Sequence, residues 1–159
     1  MKIFVDLLTL LGILIVFAIV VYRTRLKLLK MWKVVSIKEV IFHKILFETV
    51  LLYSQNKVLF KEYDTDLIFK KLAKYRRKRL RHLLLKERQD LFLSLNALFL
   101  EIEERNEDNY LGLKRKFKDL QAARRLYNSK VLIYNQTISV FPTRYLAIKL
   151  NLKIKEYFG

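Results

Sequence analysis

The chain has 159 residues, of which 53% are hydrophobic and 30% are charged, and its formal net charge is +17. This apolar share excludes a disordered basic tail, and the absence of cysteine excludes disulfide scaffolds, thiolate metal sites and cysteine nucleophiles. Three glycines and one proline are too few for the many turns of β-sandwiches, barrels or doubly wound α/β folds, so we expect an all-α protein.

The first predicted element is a membrane-spanning helix from Ile3 to Tyr22. Its roughly twenty apolar residues would rise ~30 Å, the thickness of the hydrocarbon core of a bilayer. We interpret it as an uncleaved anchor rather than a signal peptide, because no small-residue cleavage site follows it. Asp6 lies near the start of the span, where it can reach the interface or pair with Lys2. The predicted domains are an anchor at 1–22 and a helical bundle at 23–159.

A group of basic residues follows the span directly. This basic flank, which contains no acidic residue, consists of Arg23, Arg25, Lys27, Lys30 and Lys33. The opposite end of the span carries only Lys2, so the positive-inside bias predicts a single-pass cell-membrane protein with its N-terminus outside and its bundle in the cytoplasm. The flank is also expected to contact anionic lipid headgroups.

Three heptad seams predict three long helices. The first and weakest seam consists of Ile37, Ile41, Ile45, Glu48 and Leu52. The second consists of Leu80, Leu84, Arg88, Leu91, Leu95, Leu98 and Ile102. The third consists of Leu113, Phe117, Leu120, Arg124, Tyr127, Val131, Tyr134, Ile138 and Phe141. We expect helices near 23–62, 66–105 and 110–140 that form an antiparallel bundle, with a possible earlier break at 54–56. A short C-terminal helix is expected after Pro142.

This antiparallel path has two consequences for the charged residues. It would bring Glu101, Glu103 and Glu104 back beside the basic flank. It would also carry a second basic cluster to the end of the bundle far from the membrane. This basic run consists of Lys70, Lys71, Lys74, Arg76, Arg77, Lys78, Arg79 and Arg81. It is either a solvated helix face or a contact surface for a polyanion such as nucleic acid, or for an acidic partner protein.

The sequence contains no recognisable catalytic constellation. His43 and His82 belong to no HExxH or ExxH pattern, and neither a nucleophile elbow nor a phosphate-binding glycine loop is present. We therefore expect no metal, no cofactor, no small-molecule substrate and no enzymatic activity.

One motif extends along the third seam and towards the C-terminus. It consists of Arg124, Tyr127, Asn128, Val131, Tyr134, Asn135, Ile138, Phe141 and Pro142, and it is followed by Ala147, Tyr157 and Phe158. Its order and spacing resemble the AR..YN..V..YN..I..FP stretch and terminal YF of the LemA family of bacterial membrane-anchored helical proteins. The resemblance covers 122–158, and it implies a long-helix bundle on a membrane anchor with no established biochemical activity.

The residues of this motif also have a direct physical interpretation. Its seam positions, including Phe141, are expected in the core. Asn128 and Asn135 are seven residues apart and so share one helical face, where each amide can bind a neighbouring helix and fix its register. The alternative is that the motif lines a groove for a partner.

The expected function is that of a membrane-anchored helical scaffold that binds other membrane or cytoplasmic proteins without catalysis. The alternative is a membrane-tethered nucleic-acid-binding protein that uses the basic run. A third possibility is an accessory subunit of a larger membrane complex.

Overall fold

The computed structural model describes residues 2–60, 65–77, 84–105 and 107–158, with Lys2, Arg76 and Arg77 described through their backbone only. Over these residues the chain is all-α and contains no strand, which confirms the predicted fold class. The helices are α1 (Lys2–Gln55), α2 (Thr65–Arg77), α3 (Leu85–Glu103), α4 (Asp108–Ser139) and α5 (Thr143–Lys149). A short 3-10 helix at Lys57–Leu59 follows α1.

The first helix is continuous from the apolar segment to Gln55. It ends at Gln55, within the possible break at 54–56, rather than at residue 62. The side-chain amide of Asn56 donates to the backbone carbonyl of Leu52 at 2.9 Å. Asparagine often makes such local bonds at helix ends, where they satisfy carbonyls that the helix leaves open. The apolar segment and the first helix predicted after it are therefore one continuous helix.

The prediction of one helix near 66–105 is wrong, because the structure has two helices there, α2 and α3. Leu84 precedes α3 with extended backbone angles (φ −62°, ψ 155°), and its N–H donates to the Glu87 carboxylate at 3.1 Å. A helix start is usually marked by Ser, Thr, Asp or Asn, so a leucine at this place gives no warning in the sequence. The two later predictions agree well with α4 and α5.

The chain forms two compact units. Unit 1 is Met1–Ser36 with Val131–Glu156, and unit 2 is Ile37–Lys130 with Tyr157–Gly159. The buried apolar residues of unit 1 are Leu28, Val35, Val131, Tyr134, Ile138 and Ala147. Unit 2 has an aromatic core, in which Phe117 lies 4.6 Å from Phe99 and 5.8 Å from Phe92, measured between ring centroids.

The buried face of α1 differs from the predicted seam. Ile37 and Ile41 are exposed, and Ile45 is only half-buried. The buried side chains of this helix are Leu28, Val35, Phe42, Leu46, Thr49, Val50 and Tyr53. The first predicted seam is therefore wrong. In the second, Leu91, Leu95, Leu98 and Ile102 are buried, Leu84 is exposed, and Leu80 lies outside the described residues.

The C-terminal end of α3 lies beside the residues that follow α1. Arg105 forms an ion pair with Glu101 at 3.3 Å, and its guanidinium also donates to the Tyr110 hydroxyl at 3.2 Å. That hydroxyl donates in turn to the carbonyl of Leu59 at 3.3 Å. The described partner of Glu101 is thus Arg105, and the expected return of Glu101, Glu103 and Glu104 to the basic flank stays a prediction.

Candidate functional site

The apolar start of α1 is the first candidate functional element. An 18-residue window within it has a mean hydropathy of 2.9, and none of that window is buried. Side chains that are apolar on every side of a helix are typical of a lipid-facing segment, because a helix in water keeps one polar face. The helix is thus long and apolar enough to cross a membrane, as the sequence predicts.

The basic flank follows on the same helix. All five of its side chains, from Arg23 to Lys33, are exposed. The next acidic residue along α1 is Glu39, so no carboxylate on this stretch of helix offsets their charge. The five cations are therefore exposed at the end of the apolar segment, and their contact with lipid headgroups stays a prediction.

The basic run is only partly described. Lys70, Lys71 and Lys74 are exposed on α2, while Phe69, Leu72 and Tyr75 are buried on its other face. The backbones of Arg76 and Arg77 belong to the end of α2. The three remaining members, Lys78, Arg79 and Arg81, lie outside the described residues. The described lysines thus share the exposed side of an amphipathic helix.

An ion pair lies near the start of α2. Lys57 contacts Asp66 at 2.6 Å, and this hydrogen bond lowers the pKa of the Asp66 carboxyl. Both side chains are largely exposed, so the pair adds little to stability. Asp66 is thereby partly neutralised, and the net charge of this helix face stays basic.

The polar interruption of the third seam has an aromatic partner. The guanidinium carbon of Arg124 lies 4.5 Å from the centroid of the Phe92 ring, a cation–π distance. One turn further along α4, the Tyr127 ring stacks on Phe42 with a centroid distance of 6.0 Å and an interplanar angle of 8°. The motif therefore begins as part of the aromatic core of unit 2.

The two asparagines of the motif bind the backbone of the C-terminal segment 152–158, which we call the tail and which has no helix or strand. In unit 1, Asn135 donates to the carbonyl of Lys155 at 2.8 Å and accepts from its N–H at 2.9 Å. In unit 2, Asn128 donates to the carbonyl of Phe158 at 2.7 Å and accepts from its N–H at 2.9 Å. The expectation that these amides bind a neighbouring helix is therefore wrong.

The spacing of these two amide clamps follows from backbone geometry. Seven residues of α-helix rise about 10 Å, and three residues of extended chain span about 10 Å as well. An asparagine on every second turn of a helix is thus matched in length to every third residue of an extended chain. The Tyr134 hydroxyl adds a bond to the carbonyl of Lys153 at 3.0 Å. Burial raises the pKa of this hydroxyl, so it stays protonated and keeps donating.

Phe158 and Phe141 have opposite environments. Phe158 is 1% exposed, and its ring meets Phe42 edge-on at 4.6 Å between centroids. Phe141, which was expected in the core, is 84% exposed, because α4 ends at Ser139 and the seam ends with it. Pro142 is exposed as well, whereas Val131, Tyr134 and Ile138 are buried as expected.

The chain matches no family model, no curated protein and no solved structure. Among the residues that the structure describes, no group of three or more His, Asp or Glu side chains is placed to hold a metal ion. His43 lies 2.6 Å from a guanidinium nitrogen of Arg88. Because arginine can only donate, Nε2 of this histidine is the acceptor and is not free for a metal. His82 lies outside the described residues.

A surface groove in unit 2 was not predicted. Its volume is about 350 Å³, and it is lined by Lys38, Ile41, Ile45, Lys116, Asp119, Ala122, Ala123 and Leu126. Two members of the first predicted seam, Ile41 and Ile45, are therefore in its wall rather than in the core. The alanines leave room for an incoming side chain, and charged groups stand among the apolar ones. We call this feature the α1–α4 groove.

Proposed function

We propose that the chain is a single-pass membrane protein related to the LemA family, whose helical domain binds other proteins and has no catalytic activity. The observation that carries this proposal is the continuity of α1 from its exposed apolar start to the buried residues Phe42, Leu46 and Tyr53. One helix thus provides the anchor and part of a packed core, with no flexible linker between them. Such a helix holds a domain at a fixed height above a bilayer.

In the proposed architecture α1 and α4 run antiparallel in a bundle. The order of contacts in unit 2 supports this direction, because higher numbers on α1 meet lower numbers on α4. Phe42 stacks on Tyr127, Glu48 meets Lys116 at 2.6 Å, and the Tyr53 hydroxyl donates to the carbonyl of Leu113. The proposed domain boundary stays at residue 22, where the apolar segment ends.

The α1–α4 groove is the proposed binding surface for a partner helix. Ile41 and Leu126 supply exposed apolar contacts, and the small Ala122 and Ala123 permit close approach. An amphipathic helix that lays its apolar face into a hydrophobic groove is a common recognition mode. Lys116 is already paired with Glu48, so Lys38 is the lining cation left for an acidic residue beside the apolar stripe of the partner helix, and Asp119 in the same lining can pair with a basic one.

Site-specific crosslinking in cells tests this proposal. A photoreactive phenylalanine analogue at Ile41, in the groove, is compared with one at Leu93, which is also exposed but lies on α3 outside it. We expect a reproducible set of membrane-protein adducts from position 41 and few or none from position 93. Equal adducts from both positions, or none from position 41, would contradict the proposal.

A second candidate function, polyanion binding, is favoured by the exposure of Lys70, Lys71 and Lys74 on one face of α2. If this face binds a single-stranded oligonucleotide, replacing the three lysines by glutamine should reduce the salt slope of binding by about 0.7 for each phosphate that the variant no longer neutralises. The matched control replaces Arg115, Lys118 and Arg125, three exposed cations of α4, by glutamine. An equal reduction in both variants would indicate overall charge rather than this face, and a wild-type chain without salt dependence would exclude the function.

A further inference from the structure

Unit 1 exposes a cluster of apolar side chains at the end of α4 and on α5. Phe141 is 84% exposed, and Val140, Tyr145 and Ile148 are each at least 60% exposed. From Phe141 to Tyr145 to Ile148 the spacing is four and then three, so the two α5 residues lie on one helical face and Phe141 precedes it. Single exposed apolar residues are ordinary, but a contiguous cluster marks an interaction surface.

The other face of α5 is packed. Ala147 is only 2% exposed, and it lies with Ile138 and Leu152 beside a groove of about 380 Å³ in the same unit, at whose edge Arg144 and Ile148 also lie. This packing fixes the orientation of α5 in unit 1. The exposed apolar face is therefore a stable feature of the fold rather than the side of a freely rotating segment.

This cluster belongs to the same compact unit as the apolar segment of α1. Leu28 is fully buried, whereas Tyr22 at the end of the apolar segment is 60% exposed. The chain of unit 1 outside α1 is 131–156, from which we infer that these residues cover Leu28. Six residues of helix separate Leu28 from Tyr22, a rise of about 9 Å. Some part of 131–156 therefore lies within about 9 Å of the level at which the span ends.

The charges around the cluster complement an anionic lipid surface. Arg144 and Lys149 are exposed on α5, and no acidic residue occurs between Val140 and Lys155. The Lys149 ammonium lies 5.7 Å from the centroid of the Tyr145 ring. Exposed aromatic rings among lysine and arginine side chains are typical of protein surfaces at the headgroup level.

We propose that Val140, Phe141, Tyr145 and Ile148 form a second membrane contact, which inserts into the headgroup region of an anionic bilayer. Arg144 and Lys149 bind the lipid phosphates around it. This inference rests on the proposed function, since it requires that α1 spans the bilayer. The spanning helix fixes the position of unit 1, and the cluster then enters to the depth of about 5–10 Å that is usual for interfacial segments. Two contacts, one spanning and one interfacial, would prevent the domain from tilting about a single helix.

Tryptophan reporters in the full chain test the proposal. The only native tryptophan, Trp32, is first replaced by phenylalanine. Single tryptophans are then introduced by Phe141→Trp at the cluster, by Leu14→Trp in the apolar segment and by Leu132→Trp on α4. All three positions are exposed, so the substitutions should preserve the fold, which circular dichroism checks. Each variant is reconstituted in phosphatidylserine–phosphatidylcholine vesicles with or without bromine on the acyl chains, which quenches nearby tryptophan.

We expect brominated lipid to reduce the emission of the position 141 reporter nearly as much as that of the position 14 reporter, and that of the position 132 reporter far less. Equal emission losses at positions 141 and 132 would overturn the second contact while leaving the span intact. No emission loss at position 14 would instead overturn the span and the proposed function with it. A blue shift at position 141 that depends on protein concentration, without quenching, would indicate a second copy of the chain and would also overturn the proposal.

Discussion

The asparagine side chain is well suited to hold an extended backbone. Its amide offers N–H donors and a carbonyl acceptor, the same kinds of group that a peptide unit presents. Asn135 and Asn128 each use both atoms on one residue of the tail. Aspartate would keep the acceptor and lose the donor, and leucine would lose both. At these two positions the side chain is therefore more narrowly constrained than at the apolar seam positions beside them.

Removing one clamp should release one residue of the tail. We expect Asn135→Ala to accelerate amide hydrogen exchange at Lys155, and Asn128→Ala to accelerate it at Phe158, because each substitution removes the acceptor of that N–H. Each variant should also lose about 1–3 kcal/mol of stability, the usual cost of unpaired polar groups. The matched control is Gln136→Ala at an exposed position of α4. Unchanged exchange at both amides would show that the clamps do not hold the tail.

Phe158 fastens the tail through apolar contact as well. Its ring is in contact distance of Phe42, and it lies 5.9 Å from Phe92 between centroids. We expect Phe158→Ala to cost about 3–5 kcal/mol in the free energy of unfolding, as is typical for a phenylalanine removed from a core. Tyr157→Ala, at the neighbouring half-exposed residue, should cost far less. Denaturant unfolding in one detergent compares the two, and similar losses would contradict the buried role of Phe158.

At the scale of the element, α1 shows what a sequence pattern can and cannot establish. The segment from Ile3 to Tyr22 was predictable because a long apolar run has few structural alternatives. The buried face of the same helix was predicted wrongly, since Ile37 and Ile41 repeat at heptad spacing. Phe42 and Tyr53, which each follow a predicted seam residue by one position, have the larger apolar side chains and are buried in the core. Two overlapping periodic patterns cannot be ranked until the partner helix is known.

The division of the second predicted helix had even less warning in the sequence. α3 begins after Leu84, a residue with no capping side chain, and the only local sign is Glu87 three positions later. The clamps of Asn128 and Asn135 were equally hidden, because their partners lie 20 to 30 residues further along the chain. Helical periodicity predicts which face of a helix is buried, but it contains no information on a segment without regular structure that packs against that face.

One ion pair joins α1 and α4 and should make the stability of unit 2 depend on pH. Lys116 donates to Glu48 at 2.6 Å, and this hydrogen bond lowers the pKa of the Glu48 carboxyl. The unfolded chain therefore takes up a proton at higher pH than the folded chain does. The contribution of the pair is complete above the ordinary carboxyl pKa of about 4.3, and it is lost as pH falls through the lower folded value.

Replacing Lys116 by methionine tests this dependence. When pH falls from about 7 to about 3, the melting temperature of the variant should fall less than that of wild type, because the variant lacks the ion pair that acid disrupts. Lys118→Met removes the same charge at an exposed position of the same helix, and it should keep the wild-type pH profile. The Glu48 side chain is 40% exposed, so the difference is expected to be small and to shrink in high salt. Identical profiles for all three proteins would contradict it.

For the whole molecule, the property that decides the membrane orientation is the distribution of charge along the chain. The net charge of +17 is not spread evenly, since the apolar segment has Lys2 at one end and the basic flank at the other. Cations within about 15–20 residues of a span end set its orientation during insertion. If the proposed topology is correct, the flank determines the side on which the helical domain lies, whatever that domain binds.

Cysteine labelling measures this orientation directly, because the chain has no native cysteine. A single cysteine is introduced by Gln136→Cys, at an exposed site on α4, or by Ile3→Cys at the other end of the span. We expect a membrane-impermeant maleimide to label position 3 in intact cells and position 136 only after permeabilisation. Replacing Arg23, Arg25 and Lys27 by glutamine should raise the fraction labelled at position 136 in intact cells. The same change at Lys70, Lys71 and Lys74 removes equal charge far along the chain and should not. Labelling of position 136 in intact wild-type cells would reverse the proposed topology, and an equal response to both triple variants would show that the flank does not control it.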